Sequence, residues 1–383
     1  MNILFVSPRF HPNQQAWISS LHREGHKVRY ITSYSVPSNE RYDTLQPITI
    51  NACKQPLFYR TLVFIIESFC QKSLQPQYKV WPEIKFLQKS ILSFQPDIII
   101  IRESLTPLSL MTQRTARANG IPTIQSSQAD LTAKNSLVAT ILKKIKCIPD
   151  YRITPVKTFS NICSAKNTSY VPLFVPLVDS PAEHENVERA LQILFVGKFN
   201  SRRKKHLLLL EAIAILKKQH PVRLTMVGST IFTDQEYYQE VKEKIVSLKL
   251  TQNVKILEDI PPEEMNEVYQ KHDVFVLPSI QEPFSISPLE AMAHGLPTIV
   301  TDTNGCRGHI THGENGFIVS SNNLGELVSA IYEFTNKETL TLMGAAAKKY
   351  NREENNELLF ITQFMQAVKN ANMLQQPNSS IHE

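Results

Sequence analysis

Short β-rich runs alternate with helical patterns along most of the chain, and this alternation limits the fold more than any other feature of the sequence. Ile3 to Val6 is followed by a helical pattern over Gln14 to Glu24 and then by Val28 to Thr32; Pro82 to Phe94 leads into Ile98 to Ile101, and Pro107 to Asn119 into Thr123 to Gln125. Strands separated by helices pair in parallel, because each helix carries the chain back across a face of the sheet. A sheet covered on both faces needs strands that are apolar on both sides, and the run of isoleucines from Ile98 to Ile101 is such a strand. The pattern weakens between Tyr151 and Glu188, where prolines favour extended backbone, so an interdomain linker is expected near Val175 to Glu188. A second series begins at Gln192 to Val196 and continues through Lys204 to Gln219, Arg223 to Val227, Gln235 to Leu248, Val254 to Leu257, Pro262 to His272, Val274 to Leu277, Pro288 to His294 and Thr298 to Thr301. Three helical patterns follow Gly316 to Val319, and the last, Glu354 to Lys369, has no strand after it. The expected fold class is α/β, with two Rossmann-like doubly wound domains, residues 1–178 and 190–350, facing a central cleft. A chain of 383 residues is the right length for two such domains. The polar end from Gln375 to Glu383 reads as disordered, within a tail of residues 372–383.

Several classes are disfavoured by what the sequence lacks. Its start, MNILFVS, has no basic region before the apolar run and no small-residue cleavage site after it, which argues against secretion. The apolar runs Leu62 to Ile66 and Ile98 to Ile101 fall far short of the roughly 20 residues that cross a bilayer. Cys53, Cys70, Cys147, Cys163 and Cys306 are scattered without CxxC spacing, so neither a disulfide framework nor a zinc site is expected, and a cytoplasmic location fits. No GxGxxG follows a strand and no GxxxxGK[ST] occurs, which disfavours nicotinamide and P-loop enzymes. Charge is unevenly divided: residues 1–180 carry 21 Lys and Arg against 10 Asp and Glu, and the rest carry 20 against 25. A basic half suits an anionic membrane or substrate, or simply a lysine-rich solvated face; nucleic acid is not expected as a partner. Arg60 to Cys70, with Lys72, Lys79 and Lys85 and with Tyr78 and Trp81 between them, reads as a core helix with polar ends, its alternative being a face for peripheral membrane contact.

The stretch richest in chemistry is Gln281 to Thr303, QEPFSISPLEAMAHGLPTIVTDT. Glu282 lies just beyond the strand Val274 to Leu277, and Glu290 lies eight positions later in a helix that Pro288 can begin. Backbone N–H groups over Phe284, Ser285, Ile286, Ser287 and Leu289 would then point toward an anion such as a diphosphate, and Glu290 could reach a sugar or ribose hydroxyl. This segment resembles the E-x7-E motif of the family 4 retaining glycosyltransferases, which have the GT-B fold. The resemblance implies that Glu282 contacts the transferred sugar and that Glu290 binds the nucleotide ribose. Val196 to Ala212, VGKFNSRRKKHLLLLEA, is similar to the family's diphosphate-binding loop and helix. By that similarity Lys204 and Lys198 hold the donor diphosphate, with Arg202 and Arg203 able to assist; Lys198 stands where relatives have Arg, a point charge in place of a fork. Gly228 and the turn Glu258-Asp259-Ile260 fall where relatives shape the nucleotide pocket, while Gly295 and Gly305 read as turn residues.

The N-terminal half departs from the family. Relatives have a Gly-Gly pair in the loop after the first strand, where this chain reads SPRFHPNQQAW, so His11, Asn13 and Gln14 must supply polar contacts to phosphate or acceptor. A family His after the strand at Thr123 to Gln125 is also missing, and Gln128 is the replacement at the reacting end, beside Glu282 and Lys204. The resemblance implies transfer of a hexosyl unit from a UDP- or GDP-sugar to a glycan, a lipid-linked or another acceptor, with retention, no cofactor and no metal, in cell-surface polysaccharide or glycolipid synthesis. It also implies that the helix at residues 351–371 returns to the N-terminal domain. A nucleotide-sugar hydrolase or epimerase of the same fold, or an inactive glycosyltransferase-like subunit, are the alternatives.

Overall fold

The computed structural model describes residues 1–33, 47–57, 59–61, 63, 79–104, 106–128, 149, 151–157, 167–176, 190–199, 202–230 and 233–374. Residues 64–78 of the possible membrane face, 177–188 of the expected linker and the tail from 375 lie outside the described residues.

The first sheet is built from β1 (Asn2–Val6), β2 (Lys27–Thr32), β3 (Ile48–Thr49), β6 (Ile98–Arg102), β7 (Thr123–Ser126), β8 (Tyr151–Thr154) and β9 (Thr168–Tyr170), and a separate antiparallel pair joins β4 (Ala52–Cys53) to β5 (Trp81–Pro82). Its order is β3-β2-β1-β6-β7-β8-β9, every pairing parallel. Alternation of side chains explains the isoleucine run: Ile98 and Ile100 join Ile3 and Phe5 in the core on one face, while Ile99 and Ile101 join Leu4 and Val6 on the other. Helices α1 (Gln15–Arg23), α2 (Ile84–Phe94) and α3 (Pro107–Ala118) belong to this half. The helix expected from Pro82 starts later, at Ile84, because Trp81 and Pro82 pair with β4. Trp81 is buried against Tyr59, which removes it from any membrane face.

The second sheet contains β10 (Leu191–Val196), β11 (Val222–Gly228), β12 (Val254–Glu258), β13 (Val274–Leu277), β14 (Thr298–Thr301) and β15 (Gly316–Val319). They run in parallel in the order β12-β11-β10-β13-β14-β15. Around them stand α4 (His206–Leu216), α5 (Gln235–Ser247), α6 (Met265–Gln270), α7 (Ser287–Ala293), α8 (Leu324–Glu333) and α9 (Lys337–Glu354). Several helices begin on side-chain caps: Asp234 for α5, Asn323 for α8 and Asn336 for α9 each accept a first-turn N–H.

The last helix, α10 (Glu357–Met373), starts on the cap Asn356 and buries Phe360, Phe364, Ala367, Val368 and Ala371, a helical stripe. That stripe meets the N-terminal half, where Phe360 stacks on Trp17 of α1 with centroids 5.1 Å apart. One continuous core therefore contains Ile3, Trp17, Ile153 and Leu173 together with Phe284, Leu289, Met292 and Ile310 from the second half. Polar bonds cross at the same place: Asn355 Nδ2 donates to Leu173 O at 3.4 Å, Asn351 Nδ2 to Val175 O at 3.4 Å, and His309 Nε2 lies 3.1 Å from Pro155 O. Burial holds the His309 imidazole down at about 4, so it stays neutral across the physiological range. Among the described residues no helix is long and apolar enough to cross a membrane.

Candidate active site

In each sheet the chain winds one way from its first strand and then the other way, and the reversal falls between β10 and β13 in the second sheet and between β1 and β6 in the first. Ligands of open parallel sheets bind outside the carboxyl ends of the strands at such points. At the reversal of the second sheet the loops after β10 and β13 bring Lys204 and Glu282 together. Lys204 Nζ lies 2.8 Å from Glu282 Oε2, with the side chains only 13% and 7% exposed, and Arg203 Nη2 stands at 3.7 Å from the same oxygen. That oxygen makes no hydrogen bond of good geometry within the protein. The ion pair is thus mostly withdrawn from water, which strengthens its electrostatics and leaves Glu282 with unused acceptor capacity.

Backbone contacts fix both loops. Ile280 N donates to Arg203 O at 2.9 Å, Gln281 N to Thr303 Oγ1 at 3.2 Å, and Gly305 N to Glu282 O at 2.8 Å. Lys205, which caps α4, holds a left-handed backbone at φ 58°, and so does Gln281 at φ 47°. Such strain costs on the order of 1 kcal/mol at a non-glycine residue and gathers where a loop must be aimed. Gly305 is more than a turn residue: a Cβ there would stand 1.8 Å from Pro283 O, so only glycine lets the strand-like contact between Glu282 and Asn304 close. Gly305→Ala is expected to push the Glu282 loop outward, costing at least tenfold in turnover along with about 1–3 kcal/mol of stability. Steady-state kinetics and a thermal melt on the same sample check this, and unchanged values in both would show that the loop adapts.

Glu290 sits in the first turn of α7, where Tyr269 Oη donates to its Oε2 at 2.7 Å. Burial raises the Glu290 carboxyl above the ordinary range, and the Tyr269 bond only partly offsets this. One carboxylate oxygen is thereby held in place. The intervening loop differs from expectation in part. Ser285 N donates to Cys306 Sγ at 3.3 Å and Leu289 N to Ile286 O at 2.9 Å, so these two donors are already engaged. Ser285 and Ser287 hydroxyls bond each other at 3.0 Å, and the Phe284 ring turns into the shared core beside His309. Ile286 is the N-cap residue of α7 and is partly buried against the same core.

Gly228 ends β11 with Phe199 packed so close that a Cβ would come within 2.4 Å of its ring. Next to it Asp259, itself at φ 51°, accepts from Ser229 Oγ at 2.8 Å and Thr230 N at 2.9 Å. These bonds tie the loops after β11 and β12 together and place Ile260, which packs at the edge of the core. Lys198 is exposed after β10. Arg202 is turned elsewhere, pairing with Glu240 at 2.6 Å and lying over the Tyr237 ring, so it does not stand in for a missing arginine at the diphosphate.

At the reversal of the first sheet the expected contacts are partly overturned. Gln14 is 1% exposed and accepts from Tyr30 Oη at 2.7 Å, which makes it a buried partner of a core tyrosine instead of a phosphate contact. His11 is buried too, with Nε2 at 3.2 Å from Glu103 Oε1, and desolvation lowers its pKa to about 3, so it carries no charge for a phosphate. Asn13 and Gln128 do come together, and what joins them is Arg102, which the sequence reading missed: Nη1 donates to Asn13 Oδ1 at 3.0 Å and Nη2 to Gln128 Oε1 at 2.7 Å. The available signal was an Arg-Glu pair directly after an all-isoleucine strand, where charge is costly unless it has work at the strand's end. Among the described residues no group of three or more His, Cys, Asp or Glu could hold a metal ion.

Comparison with known proteins agrees with this geometry. Residues 179–354 match the family described as glycosyl transferases group 1. The D-inositol 3-phosphate glycosyltransferase of Corynebacterium urealyticum is 30% identical over 161 residues, 38% of either protein, so the chain spans about two fifths of that relative's length. Among solved structures, a glycosyltransferase from Rickettsia africae matches with a TM-score of 0.73 at 18% identity over 97% of this chain and 98% of the other. Anabaena Alr3699/HepE, solved with UDP-glucose, matches with a TM-score of 0.72 at 15% identity over 96% and 99%. At such identities the likeness speaks for the fold, while the matched sequence segment contains Lys204, Glu282 and Glu290. The chain has the GT-B fold, and its second domain, just under half of the chain, is similar to the group 1 glycosyl transferases.

Proposed function

We propose that this protein transfers a hexosyl unit, with retention of configuration, from a nucleoside diphosphate sugar to a hydroxyl acceptor, and does so without a metal. The observation that carries the reading is the buried Lys204–Glu282 pair at the strand reversal, 2.8 Å apart, with Glu282 eight residues before the Tyr269-anchored Glu290. Lys204 meets the donor diphosphate, the second oxygen of Glu290 accepts from the ribose, and Glu282 holds a hydroxyl of the sugar. In the reaction the bond from the anomeric carbon to the diphosphate oxygen breaks with its electron pair going to that oxygen. The acceptor oxygen bonds the same face of that carbon, and the acceptor proton passes to the departing phosphate. Positive charge that grows on the ring is met by the Glu282 carboxylate, and negative charge that grows on the diphosphate by Lys204.

UDP is the nucleotide best supported, since a neighbour of the same fold was solved with UDP-glucose; GDP is the second choice. With a domain division at residues 1–178 and 190–350 and residues 351–371 returning, acceptor recognition falls to the basic half, a reading that its positive charge supports. A glycan or lipid-linked acceptor at the inner face of the membrane, in cell-surface polysaccharide or glycolipid synthesis, fits that basic charge. Glu290→Ala should weaken binding of UDP by roughly 10- to 100-fold, because it removes a charged hydrogen bond from a desolvated site. The wild-type affinity should also fall on acidification, and from a higher pH than an exposed glutamate would give, since only the ionised Glu290 accepts from ribose and burial raises its titration. Calorimetry of UDP and GDP across pH on both proteins decides it; pH-independent and equal affinities would sink the reading.

A further inference from the structure

Arg102 has no part in the chemistry above, yet the structure places it with care. It ends β6 at the reversal of the first sheet, and burial lowers its guanidinium to about 10. A buried guanidinium ordinarily has a carboxylate against it. This one donates to two neutral oxygens, Asn13 Oδ1 at 3.0 Å and Gln128 Oε1 at 2.7 Å. The adjacent Glu103 acts on Arg102 through its charge without an ion-pair contact; on a left-handed backbone at φ 55° it holds Oε1 toward His11 at 3.2 Å, with Oε2 buried. Among the described residues no carboxylate stands within ion-pair distance of Arg102.

The two bonds settle the orientation of both carboxamides. A planar amide whose oxygen accepts from a guanidinium must turn its NH2 group away from it. Asn13 Nδ2 and Gln128 Nε2 are therefore directed away from Arg102, on half-buried side chains, and neither donates to a described residue. Arg102 keeps further N–H groups of its own. The result is a lobe that turns two amide NH2 groups and one positive charge outward, each amide oxygen bonded to Arg102. A sugar hydroxyl both donates and accepts; a lobe whose outward amide groups are donors beside a positive charge favours a group made of acceptors.

We infer that Arg102, Asn13 and Gln128 form an oxyanion subsite on the N-terminal domain, taking a phosphate or carboxylate group of a substrate, with the two amide nitrogens in contact and Arg102 as the charge and positioning residue. The inference rests on the proposed transferase reading for the identity of that substrate. The oxyanion belongs either to the diphosphate of the donor or to an acidic acceptor.

Inorganic phosphate, titrated into the full chain with and without saturating UDP, tests this. Asn13→Asp and Gln128→Glu keep an oxygen for Arg102 and replace the outward NH2 by a second oxygen. Each should weaken phosphate binding at least tenfold while the thermal midpoint holds or rises, because the pair with Arg102 becomes charged. Arg102→Lys, which keeps charge but cannot hold two amides, should also weaken it. If the donor diphosphate is the occupant, UDP displaces phosphate and UDP affinity falls in the same variants. If an acidic acceptor is the occupant, phosphate binds alongside UDP and UDP affinity stays within twofold. Phosphate and UDP affinities both within twofold of wild type in both carboxylate variants, or no phosphate binding to wild type with UDP affinity unchanged in them, would overturn the subsite. Wild-type protein that binds neither UDP nor GDP would instead count against the transferase reading and leave the phosphate result to stand by itself.

Discussion

Glu282→Gln is expected to lower kcat by on the order of 10² or more while the UDP dissociation constant stays within about threefold. The carboxylate lies 2.8 Å from Lys204 with one oxygen lacking a well-aligned donor in the protein, so its unused capacity is available to a ring that becomes positive as the glycosidic bond breaks. Gln fills nearly the same volume and keeps an oxygen, but it lacks the charge. Removing that charge also frees Lys204 for the diphosphate, so nucleotide binding has no reason to weaken and a fall in kcat cannot be blamed on it. Turnover, nucleotide affinity and thermal midpoint measured on one preparation separate this from a loop-capping role. Normal turnover would take Glu282 out of the site.

Lys204→Met should give the opposite signature. The diphosphate loses a desolvated cation, and UDP affinity should fall by roughly 10- to 100-fold. The fold should suffer as well, because Glu282, 7% exposed, is left with Arg203 at 3.7 Å as its nearest cation. Breaking a buried pair by removing one partner costs about 3–5 kcal/mol, and the residual attraction of Arg203 brings the expectation to about 2–3 kcal/mol. Calorimetry with UDP and denaturant unfolding would show both losses together; an unchanged nucleotide affinity would mean that the diphosphate lies elsewhere.

The sequence made the architecture legible because its signals are local. Alternating strand and helix patterns, the isoleucine run and the final strandless helix each declare themselves within a window of a few turns. The placement of Glu282, Glu290 and Lys204, whose roles are proposals, was legible for a related reason: the two glutamates stand on one loop and helix, and the lysine lies two positions before α4. What stayed hidden depends on partners far apart in the chain. Arg102 joins Asn13 across 89 positions and Gln128 across 26, and Gln14 is taken by Tyr30 over 16, so no window reveals that one amide is available and the other is not. Gly305 was read as a turn residue, which it is, but its further need for a missing Cβ stayed hidden because it comes from Pro283, which the fold brings to it from the other side of β14.

The bonds from Asn351 and Asn355 to Val175 and Leu173 lie where the chain nears its two passages between the halves. They flank the core that both halves share, so the seam combines apolar packing with directional bonds. For this molecule the relation between Arg102 and the Lys204–Glu282 pair is set at that seam, because side chains from both halves pack there into one core.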